Sequence, residues 1–354
     1  MSDTNIRLTI RGGGWVLILL GIVLLAMLAW ALAPAVLRMA NAAPGDGTNI
    51  QTYAFDMSNL QLDEEDILAA MQHRNMSPVM HQPSSMSKEE LVRKIEMDRD
   101  PFLVSSDLVV GVTLNGESRA YPMHMLDVHE IINDTLGGVP IVVSWHWPSG
   151  NATVYERTIQ GAVLSFANSG LAGNGGLLMY GLQEEAGGEQ LFSTLLGNTI
   201  SGDSFSLQPV PHDVLSWKVW SALHKDTTSI MPVESFKKRY RKANPAAYFM
   251  VETIYFPASP MPEDSINPKA PIIAIPSADG YAIYNIAELD SLADENGEVK
   301  VLLNGSPITI SVGNNPLWAT AHDHSGNPLA SQRALWFAWY ANHPESVITN
   351  AEIK

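Results

Sequence analysis

The pattern of hydrophobic positions begins with one long apolar run near the N-terminus. Residues 14–37, GWVLILLGIVLLAMLAWALAPAVL, carry no charge and are long enough to cross a bilayer as a helix. We predict an uncleaved transmembrane signal anchor, because the apolar core of a cleaved signal peptide is shorter. Arg7 and Arg11 precede the run, so residues 1–13 are expected in the cytoplasm and the remainder outside it. The small residues at 40–42 leave a cleaved signal peptide as the alternative.

Residues 38–100 read as a linker with short helices. Residues 62–74 and 87–97 place apolar side chains at helical spacing, which predicts two short helices. Ser87 and Glu90 have the spacing of a capping box at the start of the second helix.

From residue 101 onward the pattern changes to short apolar runs bounded by turn residues. Such runs are typical of strands, and Asn115-Gly116 between two of them predicts a β-hairpin. Residues 128–134 are predicted to form a helical turn, and residues 216–225 a short amphipathic helix. The predicted fold class is therefore α+β and mainly β.

Two segments of this β-rich region resemble two later segments in the same order. Residues 109–127 lie over 272–290 without gaps, matching Tyr121 to Tyr284. The pattern of Trp217, Trp220 and His224 recurs as Trp336, Trp339 and His343. A repeat in this order predicts two related β-rich halves, of which the second is shortened. The expected organisation is a first half over 101–232, a connector over 233–268 and a second half over 269–354.

Composition removes several kinds of chemistry. The chain has no cysteine, which excludes disulfides, thiolate metal sites, thiol nucleophiles and iron–sulfur clusters. Its net charge of −16 makes nucleic acid a poor partner. The expected partner is the lipid bilayer, through the N-terminal helix, and the sequence identifies no protein partner.

Three blocks of sequence resemble a known family. They are GVTLNGESRAYPMHMLDVHEIIND from residue 111, GGVPIVVSWHWPSGNATVYER from residue 137 and LWFAWYANHPES from residue 335. Over roughly residues 100–348 the chain resembles the bacterial and archaeal family called domain of unknown function 3179. This resemblance implies family membership and no particular activity.

The resemblance also identifies a position where this chain departs from its relatives. Many relatives carry Cys-Pro-Leu-Cys-Gly where this chain has His146-Trp147-Pro148-Ser149-Gly150. A Cys-x-x-Cys turn can bind a soft metal or exchange thiol and disulfide. The resemblance implies that His146 and Ser149 replace the two cysteines. The chain has therefore either changed its metal chemistry or lost the site.

Histidine is the main candidate metal ligand in a chain without cysteine, and copper or zinc would suit it. The first hypothesis is a metal-binding or redox-accessory module in which His146, His129 and His124 are ligands. His322 and His324 form a second candidate pair, since alternate residues of a strand point to one side, although a polar hairpin tip is the alternative. A Met/His-rich segment also suits copper, although methionine equally fills apolar gaps. It contains Met71, His73, Met76, Met80, His81 and Met86.

Two other hypotheses stand beside metal binding. In one, an enzyme uses His129 and Glu130 for acid–base chemistry while Arg119 holds an anionic substrate. The alternative for these polar residues, with Asn133 and Asp134, is a structural hydrogen-bond network. In the third hypothesis the chain is a structural or partner-binding module with a degenerate site, and His146 is packed in the core.

Overall fold

The computed structural model describes residues 14–40, 43–97, 101–182, 189–240 and 245–349. The chain divides into two compact units, Met1–Pro44 and Gly45–Lys354. The first unit contains helix α1, Gly14–Ala40. Its stretch Gly14–Ala33 has a mean hydropathy of 2.9, so α1 is long and apolar enough to cross a membrane. We call the second unit the body.

The body is built mainly from short strands, as the sequence predicts. Its helices are α2 Lys88–Met97, α3 Met123–His129, α4 Trp217–Leu223, α5 Lys237–Tyr240, α6 Ala246–Phe249, α7 Ile286–Leu292 and α8 Trp336–Asn342. Its strands are β1 Ile67–Ala69, β2 Met80–His81, β3 Ser85–Ser87, β4 Leu108–Leu114, β5 Glu117–Pro122, β6 Ile131–Leu136, β7 Val139–His146, β8 Asn151–Glu156, β9 Thr158–Ile159, β10 Ala162–Val163, β11 Ser165–Gly173, β12 Gly176–Leu182, β13 Leu191–Ser193, β14 Asn198–Thr199, β15 Asp213–Ser216, β16 Thr228–Ile230, β17 Pro271–Ser277, β18 Gly280–Asn285, β19 Glu298–Leu303, β20 Ser306–Asn314, β21 Leu317–Asp323 and β22 Gln332–Leu335.

These strands form several sheets with few parallel pairs. The largest has the order β18-β17-β22-β8-β7-β6-β2, and a second has the order β15-β4-β5-β16-β3. A third, β1-β11-β12-β13-β14, and a three-stranded sheet, β19-β20-β21, complete the main layers. β2 and β3 lie at sheet edges, so the segment before residue 100 contributes strands to the body as well as helix α2.

Local signals in the sequence are confirmed where a turn or cap determines the structure. Asn115 and Gly116 both adopt positive φ between β4 and β5, as a two-residue hairpin turn requires. The capping box is also present, because the Glu90 amide donates to Ser87 Oγ at 3.3 Å and the Ser87 amide donates to Glu90 Oε2 at 3.2 Å.

Two predictions of helix are wrong. In residues 62–74 the structure has one 3-10 turn, Glu64–Asp66, followed by β1, which pairs with β11. The neighbouring strand supplies the backbone partners that a helix would have supplied, so tertiary contact overrides the helical spacing. In residues 128–134 helix α3 ends at His129, Glu130 adopts φ +57°, and β6 follows.

Two stretches of the body pass through the same succession of elements with the same strand register. The hairpin β4–β5 precedes α3 as β17–β18 precedes α7, and three antiparallel strands follow each helix. Leu108 pairs with Ser216 at the start of one Trp-containing helix, and Pro271 pairs with Leu335 at the start of the other.

The sheets combine strands from both stretches. Strands β18-β17-β22 continue into β8-β7-β6 through the pair Arg333–Ala152. On the other side β15 lies against β21, and the two strands belong to separate sheets. The sheet β11–β13 covers the first of these regions. Its Phe166, Leu177, Met179 and Phe192 pack in one core with Ile131, Val142 and Tyr155.

Candidate functional site

A cleft of about 540 Å³ lies where β4 and β15 meet the sheet β19-β20-β21. This volume is in the range of small-molecule sites. Its ionisable lining residues are two groups of opposite character, three carboxylates and four histidines, and no lysine or arginine is among the described residues that line it. The three carboxylates of the cleft therefore have no permanently charged cation among these lining residues, and only protonated histidines can offset their negative charge.

The buried carboxylate of Asp213 is the centre of this cleft. Asp213 is 3% exposed and begins β15. Its Oδ1 accepts a hydrogen bond from Thr320 Oγ1 and lies 3.4 Å from His322 Nε2. Thr320 and His322 are alternate residues of β21, so both side chains are on the same side of that strand. The hydrogen bond with Asp213 raises the pKa of His322, and burial opposes this effect.

His224 is a second histidine close to the same carboxylate. Its ring packs on Trp220 with the ring centroids 3.8 Å apart, and its Nδ1 lies 3.3 Å from Ser118 Oγ. Burial lowers the pKa of His224, while Asp213 raises it and His322 lowers it. The environments of His224 and His322 thus move their pKa values in opposite directions, the arrangement that divides acid and base roles between two groups.

The cleft contains both members of the predicted His-x-His pair. His322 is half-buried at the end of β21, and His324 is exposed in the turn that follows. In that turn the Asp323 carboxylate accepts bonds from the amides of Ser325 and Asn327. The structure therefore places the two histidines in one cleft and also forms the polar hairpin tip of the alternative interpretation.

The other predicted histidines lie elsewhere. His129 is buried; its Nδ1 donates to the Pro78 carbonyl, and its Nε2 accepts from the Tyr240 hydroxyl at 2.7 Å. Burial lowers the pKa of His129, which favours this neutral form. His124 Nδ1 is 3.8 Å from Asp107 Oδ2, and its ring is also near Tyr240. His124 and His129 thus meet at Tyr240.

His146 is enclosed by protein groups of a different region. Its Nδ1 is 2.8 Å from Ser149 Oγ, and its ring stacks on Phe256 with the centroids 5.9 Å apart. Burial lowers the pKa of His146 to about 3, so the imidazole is neutral. A hydrogen bond between His146 and Ser149 therefore occupies the place that the resemblance assigns to a pair of cysteines.

Arg119 is engaged in an ion pair within the fold. Its Nη1 lies 2.7 Å from Asp134 Oδ2, which also accepts from the Tyr121 hydroxyl at 2.8 Å. The Asn133 side chain donates to the Phe166 carbonyl and accepts from the Phe166 amide, each at 2.8 Å. These contacts are those of a structural network that connects β5, β6 and β11.

Glu130 is a buried acid that follows α3, and Asp127 within α3 is a second, partly buried acid that was not among the predicted site residues. The Glu130 carboxylate accepts from Asn168 Nδ2, and burial raises its pKa to about 7. Asp127 accepts from Trp145 Nε1 at 2.8 Å, and burial raises its pKa to about 6. The spacing of residues around Asp127 could not indicate this environment, because its hydrogen-bond partner, Trp145, lies 18 residues away on β7.

The described residues contain no group of three or more His, Cys, Asp or Glu side chains that could hold a metal ion. The predicted ligands are distributed over the Tyr240 region, the His146 turn and the cleft. Metal binding by these residues stays a prediction.

We expect Asp213→Asn to lower the pKa of His322. The loss of the carboxylate removes the strongest interaction that favours the imidazolium, so burial, which favours the neutral ring, is opposed only by the weaker effects of Asp323 and Glu298. Histidine NMR titration of the full chain measures the change. Asp107→Asn, beside His124 and away from the cleft, is the matched control and should leave the His322 titration unchanged. An unaltered His322 titration in Asp213→Asn would contradict the pairing.

We expect Glu130→Gln to stabilise the protein at alkaline pH. The folded-state pKa of Glu130 is raised from 4.5 to about 7, so the wild type loses stability as pH rises through this interval, by ~3 kcal/mol. Glu130→Gln should lack that loss, whereas the exposed control Glu117→Gln should retain it. Chemical unfolding between pH 4 and pH 8 measures both. Parallel stability curves for wild type and Glu130→Gln would show that Glu130 does not titrate in this way.

Comparison with known proteins gives a family. A sequence model of the family described as "Protein of unknown function (DUF3179)" matches residues 78–346. No curated protein and no solved structure matches the chain. The match begins earlier than the resemblance in the sequence and takes in β2 and β3, which pair with β6 and β16 of the body. The chain belongs to the DUF3179 family.

Proposed function

We propose that the protein is a membrane-anchored extracytoplasmic binding protein that takes a polar, positively charged ligand into the cleft at Asp213. The observation that carries the proposal is the ion pair between buried Asp213 and His322 in an accessible cleft. Burying an ionised carboxylate is unfavourable unless partners compensate it, and here the partners are Thr320 and a titratable histidine.

The charge of the cleft supports a cationic ligand. Asp213, Glu298 and Asp323 line it, and among the lining residues that the structure describes only the histidines can carry positive charge. A protonated ligand amine would interact favourably with these carboxylates. Loss of the His322 proton would make the cleft more negative and strengthen this attraction.

The anchor in this proposal is α1, with residues 1–13 in the cytoplasm and the body outside. Its length, its apolar composition and the preceding Arg7 and Arg11 support an uncleaved anchor in that orientation. The body, with most of the acidic residues, would then face the extracytoplasmic space.

The two other hypotheses are supported less well. An acid–base role for His129 would require displacement of Tyr240 or Pro78 from its ring nitrogens, although the raised pKa of Glu130 suits a proton acceptor. A copper or zinc site at His146, His129 and His124 would require these three histidines to come together, whereas each now contacts different residues. We propose that His146 and Ser149 form a packed turn in this chain.

The orientation predicts which end of the chain is accessible from outside. Since the chain has no cysteine, a single cysteine introduced by Val347→Cys or Ser2→Cys is the only target for a maleimide. We expect a membrane-impermeant maleimide to label Val347→Cys, at a residue 76% exposed, and to leave Ser2→Cys unlabelled on spheroplasts. A mature chain that lacks its first forty or so residues by mass spectrometry would show a cleaved signal peptide instead.

Ligand binding is tested by histidine NMR of the full chain in lipid nanodiscs. We expect n-butylamine to shift the His322 signals in the wild type and not in Asp213→Asn, while acetate shifts neither. Zn(II) and Cu(I) are added separately, and one equivalent bound at His322 and His324 would favour the metal hypothesis over the proposal. His322 signals that no probe moves would remove the cleft as a binding site.

A further inference from the structure

The two β-rich halves place His322 and Tyr155 at equivalent positions. The pair Ile141–Glu156 in the β7–β8 ladder has its counterpart in Ile308–Asp323 of β20–β21. Outside the ladders, Tyr155 forms an isolated bridge with Pro209, and His322 forms the same kind of bridge with Pro328. Both bridges lie between the end of a three-stranded segment and the strand that precedes a Trp-containing helix.

The partner of each of these residues is equivalent too. Asp213 begins β15 as Gln332 begins β22, and each is four residues before the Trp that starts the next helix. Gln332 Nε2 lies 3.4 Å from the Tyr155 hydroxyl, and Asp213 Oδ1 lies 3.4 Å from His322 Nε2. The cleft is therefore the counterpart, in the second half, of the place where Tyr155 meets Gln332.

In the first half a segment of the same chain fills this place. The Tyr155 hydroxyl donates to the backbone carbonyl of Thr194 at 2.8 Å, and Gly197 lies against the Tyr155 ring. Both residues belong to the insertion that carries β9–β14. The occupant next to Tyr155 is thus a polypeptide main chain.

In the second half the short connection 324–331 replaces that insertion, and side chains at equivalent positions are polar where those of the first half are apolar. Ile131 and Val142, buried under the inserted sheet, correspond to Glu298 and Thr309 in the cleft. A surface that no other segment covers needs polar residues. Solvent exposure alone does not explain why Asp213 is buried and hydrogen-bonded by Thr320 beside His322.

We propose that the cleft accepts a polypeptide segment of a partner, with a main-chain carbonyl at His322 and a basic side chain at the carboxylates of Asp213 and Glu298. This inference rests on the proposed function and specifies its ligand. Because Nε2 of His322 faces Asp213, the Nδ1–H of the protonated ring takes the place of the Tyr155 hydroxyl as donor, and the carboxylates take the place of an apolar surface.

The experiment compares three probes on the full chain in nanodiscs, followed through the His322 NMR signals. They are a terminally blocked Gly-Lys-Gly tripeptide, the blocked Gly-Glu-Gly tripeptide, and n-butylamine, which carries the lysine amine without a peptide. We expect the lysine tripeptide to bind about tenfold more tightly than n-butylamine, the effect of one additional hydrogen bond. The glutamate tripeptide should bind more weakly than either.

Variants separate the two contacts, and their binding is followed through the His224 signals. His322→Phe should lower the affinity for the lysine tripeptide to that for n-butylamine. His322→Tyr should keep the higher affinity for the tripeptide, because Tyr155 donates the equivalent hydrogen bond in the first half. Asp213→Asn should weaken both cationic probes. His81→Phe, at an exposed histidine outside the cleft, is the control and should change nothing.

The outcomes distinguish this inference from the proposed function. Equal affinity for n-butylamine and the lysine tripeptide would leave a site for small cations and overturn the peptide inference alone. Tighter binding of the glutamate tripeptide would also overturn it. Absence of binding by all three probes would overturn the inference together with the proposed function.

Discussion

The junction between β22 and β8 joins the two stretches of similar element order in one sheet, and the turn Trp147–Gly150 contacts β22 there. The Leu335 amide donates to the Ser149 carbonyl at 2.7 Å, and Asn151 Nδ2 donates to the Arg333 carbonyl at 3.2 Å. A side chain on Gly150, at φ +61°, would meet Leu335. The hydrogen bond between His146 and Ser149 closes this turn from inside. In this chain the turn at the junction is thus held by a neutral histidine and a hydroxyl, without cysteine.

The second junction, between β15 and β21, explains why ionisable side chains are concentrated in the cleft. β15 and β21 face each other without a shared ladder, so the groups between them are side chains. Beside the first junction an inserted sheet covers the uncharged side chains of Val142 and Tyr155, whereas the cleft at the second is lined by ionisable side chains and is open to solvent. A low-dielectric wall on each side strengthens the interaction of Asp213 with whatever carries positive charge beside it, first of all His322.

The local features of the fold could be predicted because each depends on a few neighbouring residues. The hairpin at Asn115-Gly116 and the capping box at Ser87 are such cases, and both are confirmed. The helix expected at residues 62–74 is wrong because β11, far away in the sequence, supplies the competing hydrogen bonds. Among the candidate site residues, His322 and His324 lie in the cleft, whereas Asp213 and the chemical setting of His224 were missed. Their partners come from strands about a hundred residues away.

By itself the sequence determined an apolar N-terminal helix, a mainly β body and the absence of cysteine, which leaves histidine, methionine, carboxylate and backbone oxygen as the available metal ligands. Hydrophobic run length, turn residues and composition are local properties, so the order of residues alone is enough for these conclusions. Only the tertiary structure decided that His129 and His146 are enclosed by protein partners while His322 meets a buried carboxylate. The protonation and accessibility of a histidine depend on which distant strands pack around it, and that packing is not encoded in the spacing of neighbouring residues.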